Sequence, residues 1–319
     1  MKEKIKKTCK GFKEKLKHLK RNINYIHDKS GKSRFVLFFD IIWCNIRYGI
    51  SNNEYRIFEF YNISGIKRET YLSISNHRDM HYLYNKKIKN VLEDKLLFNR
   101  RFKDYLKRDI TNLKDLNFKS FEDYAKNNKK IIARSNSNSF NKSYKKYDLS
   151  DYRSPAFLRD QIIKDGLTLV EKRITQHKDL NDISDFVTIN VISVYHKGTN
   201  IISSSIKFKE GNKITTGFVD YKSGIIKGNL KDEKGLNITD KYDGLKIPYY
   251  SKIIDLTKKL SKEMEEIKEI EWSFAVGSKG TIYLLDGNRC DDLVFAQLPE
   301  YSKDKTGLYP VYKNIFRRR

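Results

Sequence analysis

Two spacings in the sequence bring together side chains that are capable of chemistry. His77 and His81 are four residues apart, which places both imidazoles on one face of a helix. A metal held by this pair would need more ligands, and no glutamate lies between the histidines to act as a metalloprotease base. Asp286 and Asn288 are two residues apart on a predicted strand, so their side chains face the same side of it. We favour the second pair as part of a site.

The strands that would position Asp286 form a predicted hairpin. Ile270–Val276 and Thr281–Leu285 flank a turn that contains two glycines, Gly277 and Gly280. The other strands that the pattern predicts are Lys130–Arg134, Leu167–Ile174, Val187–Tyr195, Ile201–Lys209 and Lys213–Tyr221. Helices are predicted through most of residues 35–125, over Ser154–Lys164, where Ser154-Pro155 is a favourable start, and over Ile247–Ile267.

This order of elements predicts an α+β (α/β) protein with several lobes. We expect a basic amphipathic helix over residues 1–24 and a mainly helical lobe over 25–125. A small strand-loop-strand lobe with a hinge follows over 126–180, and a sheet lobe that ends in the hairpin follows over 181–319. A chain of 319 residues is long enough for one enzyme-sized unit or two lobes.

The composition is strongly basic. Lys and Arg number 65 and Asp and Glu number 40, which gives a net charge of +25. Such a charge indicates an anionic partner, namely nucleic acid, an anionic membrane or an acidic glycan. The bias towards Lys, Asn and Ile in genomes of low G+C content explains the charge equally well. An apolar content of 39% excludes a wholly disordered chain, and only 4 prolines with 16 glycines exclude a collagen-like one.

The first 24 residues carry one apolar stripe along a basic helix. Its members are Ile5, Cys9, Phe12, Leu16, Leu19 and Ile23. Such a helix can lie on anionic lipid headgroups, or it can pack on its own protein with a solvated basic face. The segment lacks the apolar core of a secretory signal. The longest apolar run, near Phe35–Cys44, is interrupted by Asp40 and is too short to span a bilayer. The three cysteines are far apart, which fits a reducing cytosol better than a disulfide framework.

Four segments resemble the ATP-grasp enzymes. The hairpin Trp272–Asn288 looks like the metal-binding hairpin of that superfamily, with Ser273, Asp286 and Asn288 at the three ligand positions. Leu169–Ile174 is similar to the hinge strand whose backbone contacts adenine. Lys95, after Asp94, resembles the first nucleotide-binding lysine, and Arg134 stands where the second is expected. The polar segment 135–142, which includes Lys142, then corresponds to the phosphate-covering loop.

A narrower resemblance covers most of the chain from about residue 35 onwards. The segments that carry it are Phe39-Asp40, Arg47-Tyr48-Gly49, Tyr55–Phe60, Ile174–His177 and Lys246-Ile247-Pro248. They are similar to the sugar-transfer-associated ATP-grasp group, which is related to α-L-glutamate ligases. The resemblance implies an ATP-grasp fold that grips a nucleotide between a small lobe and a C-terminal sheet lobe.

The resemblance also implies an activity and a set of roles. It implies an ATP-dependent carboxylate–amine ligase that forms an amide bond through an acyl phosphate, in the biosynthesis of a surface polysaccharide or cell-envelope glycan. ATP and Mg²⁺ would be required, and a uronic acid-containing glycan could supply a substrate. Lys95, Arg134 and Lys142 would hold the nucleotide phosphates, and Glu171 and Lys172 would lie at the adenine hinge. Lys207 would neutralise developing charge, and Asp286, Asn288 and Ser273 would lie at the metal. We expect a cytoplasmic protein, peripheral on the inner face of the membrane if the first helix binds lipid.

The sequence departs from the family pattern at several of these positions. Ser273 stands in place of an aspartate, Asp286 in place of a longer glutamate, and Arg134 in place of a lysine. Asn190 stands where the narrower group has an arginine, and the phosphate loop is rich in Ser and Asn rather than Gly. A second hypothesis is therefore a degenerate ATP-grasp protein that binds nucleotide or glycan without catalysis. A third, a nucleic-acid-binding protein, rests on charge alone, and we expect no specific nucleic acid partner.

Overall fold

The fold is taken from a computed structural model. It describes residues 2–63, 65–85, 90–108, 110–136, 144–210, 213–288, 290, 293–302 and 304–317. The helices are α1 (Lys2–Ser30), α2 (Arg34–Tyr48), α3 (Asn52–Ile57), α4 (Ile74–Tyr84), α5 (Asn90–Glu93), α6 (Lys95–Arg101), α7 (Lys103–Leu106), α8 (Phe118–Asn127), α9 (Pro155–Lys164), α10 (Tyr250–Glu263) and α11 (Tyr309–Arg317). The strands are β1 (Ile110–Asn112), β2 (Lys130–Arg134), β3 (Tyr144–Asp148), β4 (Leu169–Lys172), β5 (Val187–Tyr195), β6 (Thr199–Glu210), β7 (Lys213–Asp220), β8 (Ile225–Asp232), β9 (Asn237–Thr239), β10 (Glu269–Val276) and β11 (Ile282–Asn288).

In the part of the chain that the structure describes, the strands form two antiparallel sheets. The small sheet has the order β1-β4-β2-β3, and the large sheet has the order β11-β10-β5-β6-β7-β8-β9. Helices and sheets are thus mixed in one chain, which confirms the predicted α+β class. Hairpin connections link β5 to β9 in sequence order, and β10 returns to pair with β5, so the predicted C-terminal hairpin lies at one edge of the large sheet.

The small sheet buries one face against two helices. Ile131 and Ala133 of β2 and Val170 of β4 form a core with Phe121 of α8 and Leu158 of α9. This core begins before residue 126, where the sequence suggested the start of the small lobe, because β1 and α8 pack on the small sheet rather than with the preceding helices. The short strand β1 is also an exception to the helical pattern predicted for residues 35–125.

The large sheet has one apolar face. The opposite face, called the polar face, carries polar residues beside a smaller apolar cluster that includes Ile192, Val194 and Tyr312. On the apolar face, Trp272 and Phe274 of β10 pack with Phe98 and Phe102 from the α5–α7 segment and with Leu260 of α10. The alternate residues of β10 and β11 point the other way, and several are polar. The polar face is the one that concerns function.

Most of the predicted elements of these two sheets are confirmed. β2 and β5 have the predicted bounds, and the remaining predicted strands differ by at most a few residues at their ends. The helix over Ser154–Lys164 is confirmed as α9 with Pro155 in its first turn, although the Ser154 side chain makes no capping hydrogen bond. Strands β3, β8 and β9 and helix α11 were not anticipated from the sequence pattern.

The N-terminal helices form a separate apolar cluster. Ile23 and Ile26 of α1 pack with Leu37 and Ile41 of α2, and Tyr55 of α3 joins the same cluster. Predicted helix 1–24 is therefore part of a longer helix whose second half packs on the protein. Among the described residues, no helix combines the length and the hydropathy needed to cross a bilayer.

Candidate active site

The register of the C-terminal hairpin brings three predicted residues onto one face. Ser273 lies directly opposite Asp286 across the β10–β11 pair, and Glu271 lies directly opposite Asn288. Residues that face each other across an antiparallel pair point to the same side, as do residues two apart on one strand. Ser273, Asp286, Asn288 and Glu271 therefore lie together on the polar face, at the edge of the large sheet.

Lys95 approaches this edge from the helical segment. Asp94 begins α6 by accepting hydrogen bonds from the backbone amides of Leu96 at 2.8 Å and Leu97 at 3.1 Å. Lys95 then follows in the first turn, and its ammonium group forms an ion pair with the Asp286 carboxylate. Burial, together with the charges of Arg134 and Arg108, lowers the pKa of Lys95, whereas the contact with Asp286 favours its charged form.

Gly287 explains how α6 comes so close to the hairpin. It faces the apolar side of the sheet, and a Cβ atom at this position would lie 2.9 Å from Phe98 Cε2 and 3.2 Å from Leu92 Cδ2. Phe98 is fully buried, so a side chain at position 287 would push the helical segment away. The absence of a side chain here therefore allows α6 to place Lys95 beside Asp286.

Arg134 and Glu171 meet on the small sheet. Arg134 Nη2 donates to Glu171 Oε2 at 2.9 Å. Arg108 Nε donates to the same oxygen at 2.6 Å. Burial alone would raise the pKa of Glu171, but the two guanidinium groups outweigh it and hold the pKa below its ordinary value. Glu171 is therefore an ionised group that orients two arginines.

Arg108 joins the two sheets and was missed by the sequence analysis. Besides Glu171 of β4, it donates to the backbone carbonyls of Leu284 and, at 3.1 Å, Leu285 of β11. The side chain is only 3% exposed. It lies between the ion pairs of Glu171 on one side and the strand that carries Asp286 on the other. No sequence signal distinguished it, because it follows Lys107 in a chain rich in basic residues.

Lys207 and Glu271 extend the site along the large sheet. Lys207 of β6 lies opposite Thr188 of β5, and its Nζ is 3.4 Å from Glu271 Oε1. Glu271 was not selected from the sequence, although it lies two residues before Ser273 on a predicted strand and so shares its face. The same alternation that pointed to Asp286 and Asn288 could have identified it. Glu271 thus supplies a carboxylate two residues before position 273, where the family pattern has an aspartate and this chain has a serine.

Asn190 provides a test of whether this face suits a hard cation. It lies opposite Ser273 in the β5–β10 pair, and its Oδ1 atom is buried without a hydrogen-bond partner among the described residues. Asn190 Oδ1, Asp286, Asn288 and Glu271 together offer carboxylate and amide oxygens, which are the ligands that Mg²⁺ prefers. No cluster of three or more His, Cys, Asp or Glu side chains suited to a metal occurs among the described residues. The donor set therefore fits Mg²⁺ only if phosphate oxygens complete the coordination, which is how Mg²⁺ is usually held with nucleotides.

A small pocket lies on the same face beyond Lys207, and Lys231 of β8 lies at its end. Ser203 and Ser205 of β6 and Thr216 of β7 line it with hydroxyl groups. The rest of its lining is mainly apolar and includes Ile192, Phe218 and Phe295. The Lys231 ammonium is 2.8 Å from Glu300, and its side chain is only 6% exposed. The cavity has a volume of only about 10 Å³, so an anionic group would contact Lys207 and these hydroxyls at its mouth rather than inside it.

Two of the predicted site residues do not join this arrangement. The Lys172 side chain is exposed at the end of β4, on the opposite side of the strand from Glu171. Only its backbone remains as a candidate contact at the hinge. Lys142 lies outside the described residues. Contacts through Arg108 and Glu271 bring most of the other predicted residues into one region, namely Lys95, Arg134, Glu171, Asp286 and Lys207.

Comparison with known proteins gives matches at the level of structure alone. No family model matches the sequence, and no curated protein matches it. The L-amino acid ligase from Bacillus licheniformis is similar over 71% of this chain and 48% of its own, at 10% identity and a TM-score of 0.41. The N5-carboxyaminoimidazole synthetase from Staphylococcus aureus, complexed with ADP, is similar over 62% of this chain and 44% of its own, at 8% identity and a TM-score of 0.42.

A third similar structure is the ATP-grasp ligase PsnB complexed with a minimal precursor. It matches 64% of this chain and 55% of its own, at 10% identity and a TM-score of 0.37. The chain spans about half the length of the solved structures it matches.

Proposed function

We propose that this protein is an ATP-grasp ligase that uses ATP to join a carboxylate to an amine. The observation that carries the proposal is the arrangement around Arg108. This residue ties Glu171 and Arg134 of the small sheet to the strand of the large sheet on which Asp286 pairs with Lys95. Cations from one sheet and oxygen ligands from the other thus line the same region, as binding of a metal–nucleotide complex requires.

The residues have distinct roles in this proposal. Lys95 and Arg134 bind the phosphates of ATP, and Arg108 and Glu171 hold Arg134 in position. Asp286, Asn288 and Glu271 would hold Mg²⁺, with Ser273 and Asn190 as neutral oxygen donors beside them. The metal, when bound, neutralises phosphate charge during transfer. The backbone that follows Glu171 is the candidate contact for adenine.

The chemistry proceeds in two steps. A substrate carboxylate oxygen attacks the γ-phosphorus of ATP, the bond to the β-phosphate oxygen breaks, and ADP leaves. Lys207 neutralises the charge that develops on the transferring group, since it lies on the polar face beside Glu271. An amine then attacks the acyl carbon, phosphate leaves, and the proton of the amine passes to phosphate or water. The mouth of the pocket beyond Lys207 is the candidate position for the carboxylate substrate.

The proposal extends to the substrate and to the cellular role. A uronic acid of a surface polysaccharide is the substrate we favour, because Lys207 and Lys231 offer charge to a carboxylate and Ser203 and Ser205 offer hydrogen bonds to sugar hydroxyls. A protein that binds nucleotide without turnover is the competing proposal. The substitution at Ser273 and the pairing of Lys95 with Asp286 favour it, because both leave less anionic charge for a metal.

Titration of ADP in the presence of Mg²⁺ tests the metal site. Asp286→Asn should weaken ADP binding and remove its dependence on Mg²⁺, because the amide lacks the charge that the metal prefers. Asp255→Asn on the exposed face of α10 is a matched control and should bind as the parent does. Equal Mg²⁺-dependent ADP affinity in parent and Asp286→Asn would end the assignment of Asp286 to the metal.

A further inference from the structure

Helix α2 is apolar on two opposite faces. One face, with Leu37, Ile41 and Cys44, is buried against the N-terminal cluster. The other face is exposed, and its large side chains are Phe35, Val36, Phe39, Ile42, Trp43 and Ile46. A helix that is apolar all round normally lies within a protein core or a membrane. In the described structure, α2 is instead covered on one side only.

The exposed face is a continuous stripe rather than a set of isolated residues. Phe35, Phe39, Ile42 and Ile46 are spaced by four, three and four residues, which places them along one line on the helix. Phe35 is 72% exposed and Ile46 is 75% exposed, so the stripe is open at both ends. Contiguous exposed apolar surface of this kind marks an interaction site.

A further exposed apolar side chain lies on a turn next to the same helix. Ile66, in the 3₁₀ turn Gly65–Thr70, is 84% exposed. This turn is attached to α2 because Arg68 donates to Asp40 at 2.7 Å and Arg47 to Glu69 at 3.2 Å. The exposed apolar surface therefore continues from α2 onto its neighbour.

The charge around this surface is positive. Residues 1–30 contain ten Lys and one Arg against three acidic residues, 11 − 3 = +8. Lys13, Lys17, Lys20 and Arg21 of α1 are exposed, and α1 packs on the buried face of α2. Arg34 and Arg47 stand at the two ends of α2, where they pair with the exposed Asp28 and Glu69. An apolar stripe with a basic surround complements an anionic lipid surface.

We propose that the exposed face of α2 inserts into the interfacial layer of an anionic membrane, with Arg34 and Arg47 at the ends of the helix in contact with the lipid headgroups. The helix has 15 residues, about 22 Å at 1.5 Å per residue, so it lies in the plane of the membrane and does not cross it. Trp43 is suited to this depth, because the indole ring favours the boundary between headgroups and acyl chains. The proposal stands on the N-terminal helices and is independent of the ligase assignment.

A second copy of the chain is a poorer occupant of this surface. Pairing two α2 stripes would bring two copies of the strongly basic α1 close together on proteins that each carry a net charge of +25. Like charges repel in such an arrangement, whereas anionic headgroups compensate the same charges. The balance of charge therefore favours lipid over self-association.

Vesicle binding by the full chain tests the proposal. The probe is a vesicle of phosphatidylcholine and phosphatidylserine, compared with phosphatidylcholine alone. Phe39→Asn combined with Ile46→Asn should lower binding to the anionic vesicles at least about tenfold, since the variant loses the burial of two large apolar side chains. The matched control changes an exposed Phe and an exposed Ile elsewhere, Phe157→Asn with Ile163→Asn, and should bind as the parent does.

The fluorescence of Trp43 gives a second readout. Trp272 is fully buried, so a change on adding vesicles reports on Trp43. Anionic vesicles should shift the emission of the parent to shorter wavelength, because the indole leaves water. Unchanged vesicle binding in the Phe39→Asn, Ile46→Asn variant, with an unshifted Trp43 spectrum, would overturn the proposal. A parent dimer that the same variant dissociates, without vesicle binding, would overturn it in favour of a second copy.

Discussion

At the scale of single residues, the site is defined by how its charges are paired. Each of the three acidic residues has a basic partner from another element: Asp286 has Lys95, Glu171 has Arg108 and Arg134, and Glu271 has Lys207. Paired charges in a low-dielectric region hold each other in place and remain available to a ligand that replaces one partner. A nucleotide would compete for Lys95, and a metal would compete for Asp286.

A substitution at Ser273 tests whether the metal site has drifted, meaning that it has simply lost one carboxylate, or has been rebuilt around another carboxylate. Ser273→Asp places a second carboxylate directly opposite Asp286. If the site has drifted, the affinity for Mg²⁺ or Mn²⁺ in the presence of ADP should rise, because the metal prefers charged oxygen. Metal titrations of parent and variant, each with ADP, measure this.

If the metal site has been rebuilt, the same variant should lose stability and gain no metal affinity. If Glu271 now serves as the second carboxylate, Ser273→Asp adds an unmatched negative charge, and repulsion from Asp286 and Glu271 raises the pKa of one carboxyl. Stability at neutral pH then falls without a gain in metal affinity, and Glu271→Gln in the parent background lowers metal affinity. An unchanged metal affinity and melting temperature in Ser273→Asp would mean that position 273 does not face the site.

Loss of Arg108 should cost a large fraction of the stability of the protein. Arg108→Met removes one partner from the buried Glu171 and leaves two carbonyls of β11 without their donor, so we expect a loss of about 3 kcal/mol in the free energy of unfolding. Arg101→Met removes an exposed arginine from the preceding helix and should cost less than about 0.5 kcal/mol. Urea unfolding at neutral pH compares them, and equal stabilities would contradict the bridging role.

At the scale of elements, Gly287 couples the helical segment to the hairpin. Gly287→Ala introduces a Cβ atom 2.9 Å from Phe98 Cε2, and such overpacking costs about 1–3 kcal/mol. The displaced α6 should also carry Lys95 away from Asp286 and weaken ADP binding. Urea unfolding and ADP titration measure the two effects.

A second substitution distinguishes this steric cause from a general loss of packing. Phe98→Leu in the Gly287→Ala background should cost less than Phe98→Leu alone, because the smaller side chain relieves the contact. If the two substitutions are additive, the close approach of α6 to β11 is not what position 287 controls.

The elements themselves were largely predictable, whereas their assembly was not. The strands β5, β10 and β11 were predicted from the sequence, and the two-residue spacing of Asp286 and Asn288 placed both on one face. Strand β3, with its Lys- and Tyr-rich sequence, shows no alternation of apolar and polar residues, because its register comes from pairing with β2. The role of Arg108 depends on contacts to residues 63 and 177 positions away. No local pattern can report such long-range contacts.

At the scale of the whole molecule, the basic residues behind the net charge of +25 are unevenly distributed. Part of this charge lines the region between the two sheets, where Lys95, Arg108, Arg134 and Lys207 lie. Another part lies on α1, which packs on the buried face of α2, and at the two ends of α2. The proposed nucleotide site and the proposed lipid surface are therefore built from different helices and strands. Each can be removed by substitution without the other.

The stability of the full chain with and without Mg-ADP tests the central claim most directly. A ligand present at about 100 times its Kd stabilises the folded state by about 2.7 kcal/mol. We expect Mg-ADP to raise the melting temperature of the parent, adenosine with Mg²⁺ to raise it far less, and Arg134→Met to lose most of the rise. An unchanged melting temperature of the parent at millimolar Mg-ADP would contradict the assignment of the region between the two sheets as a nucleotide site.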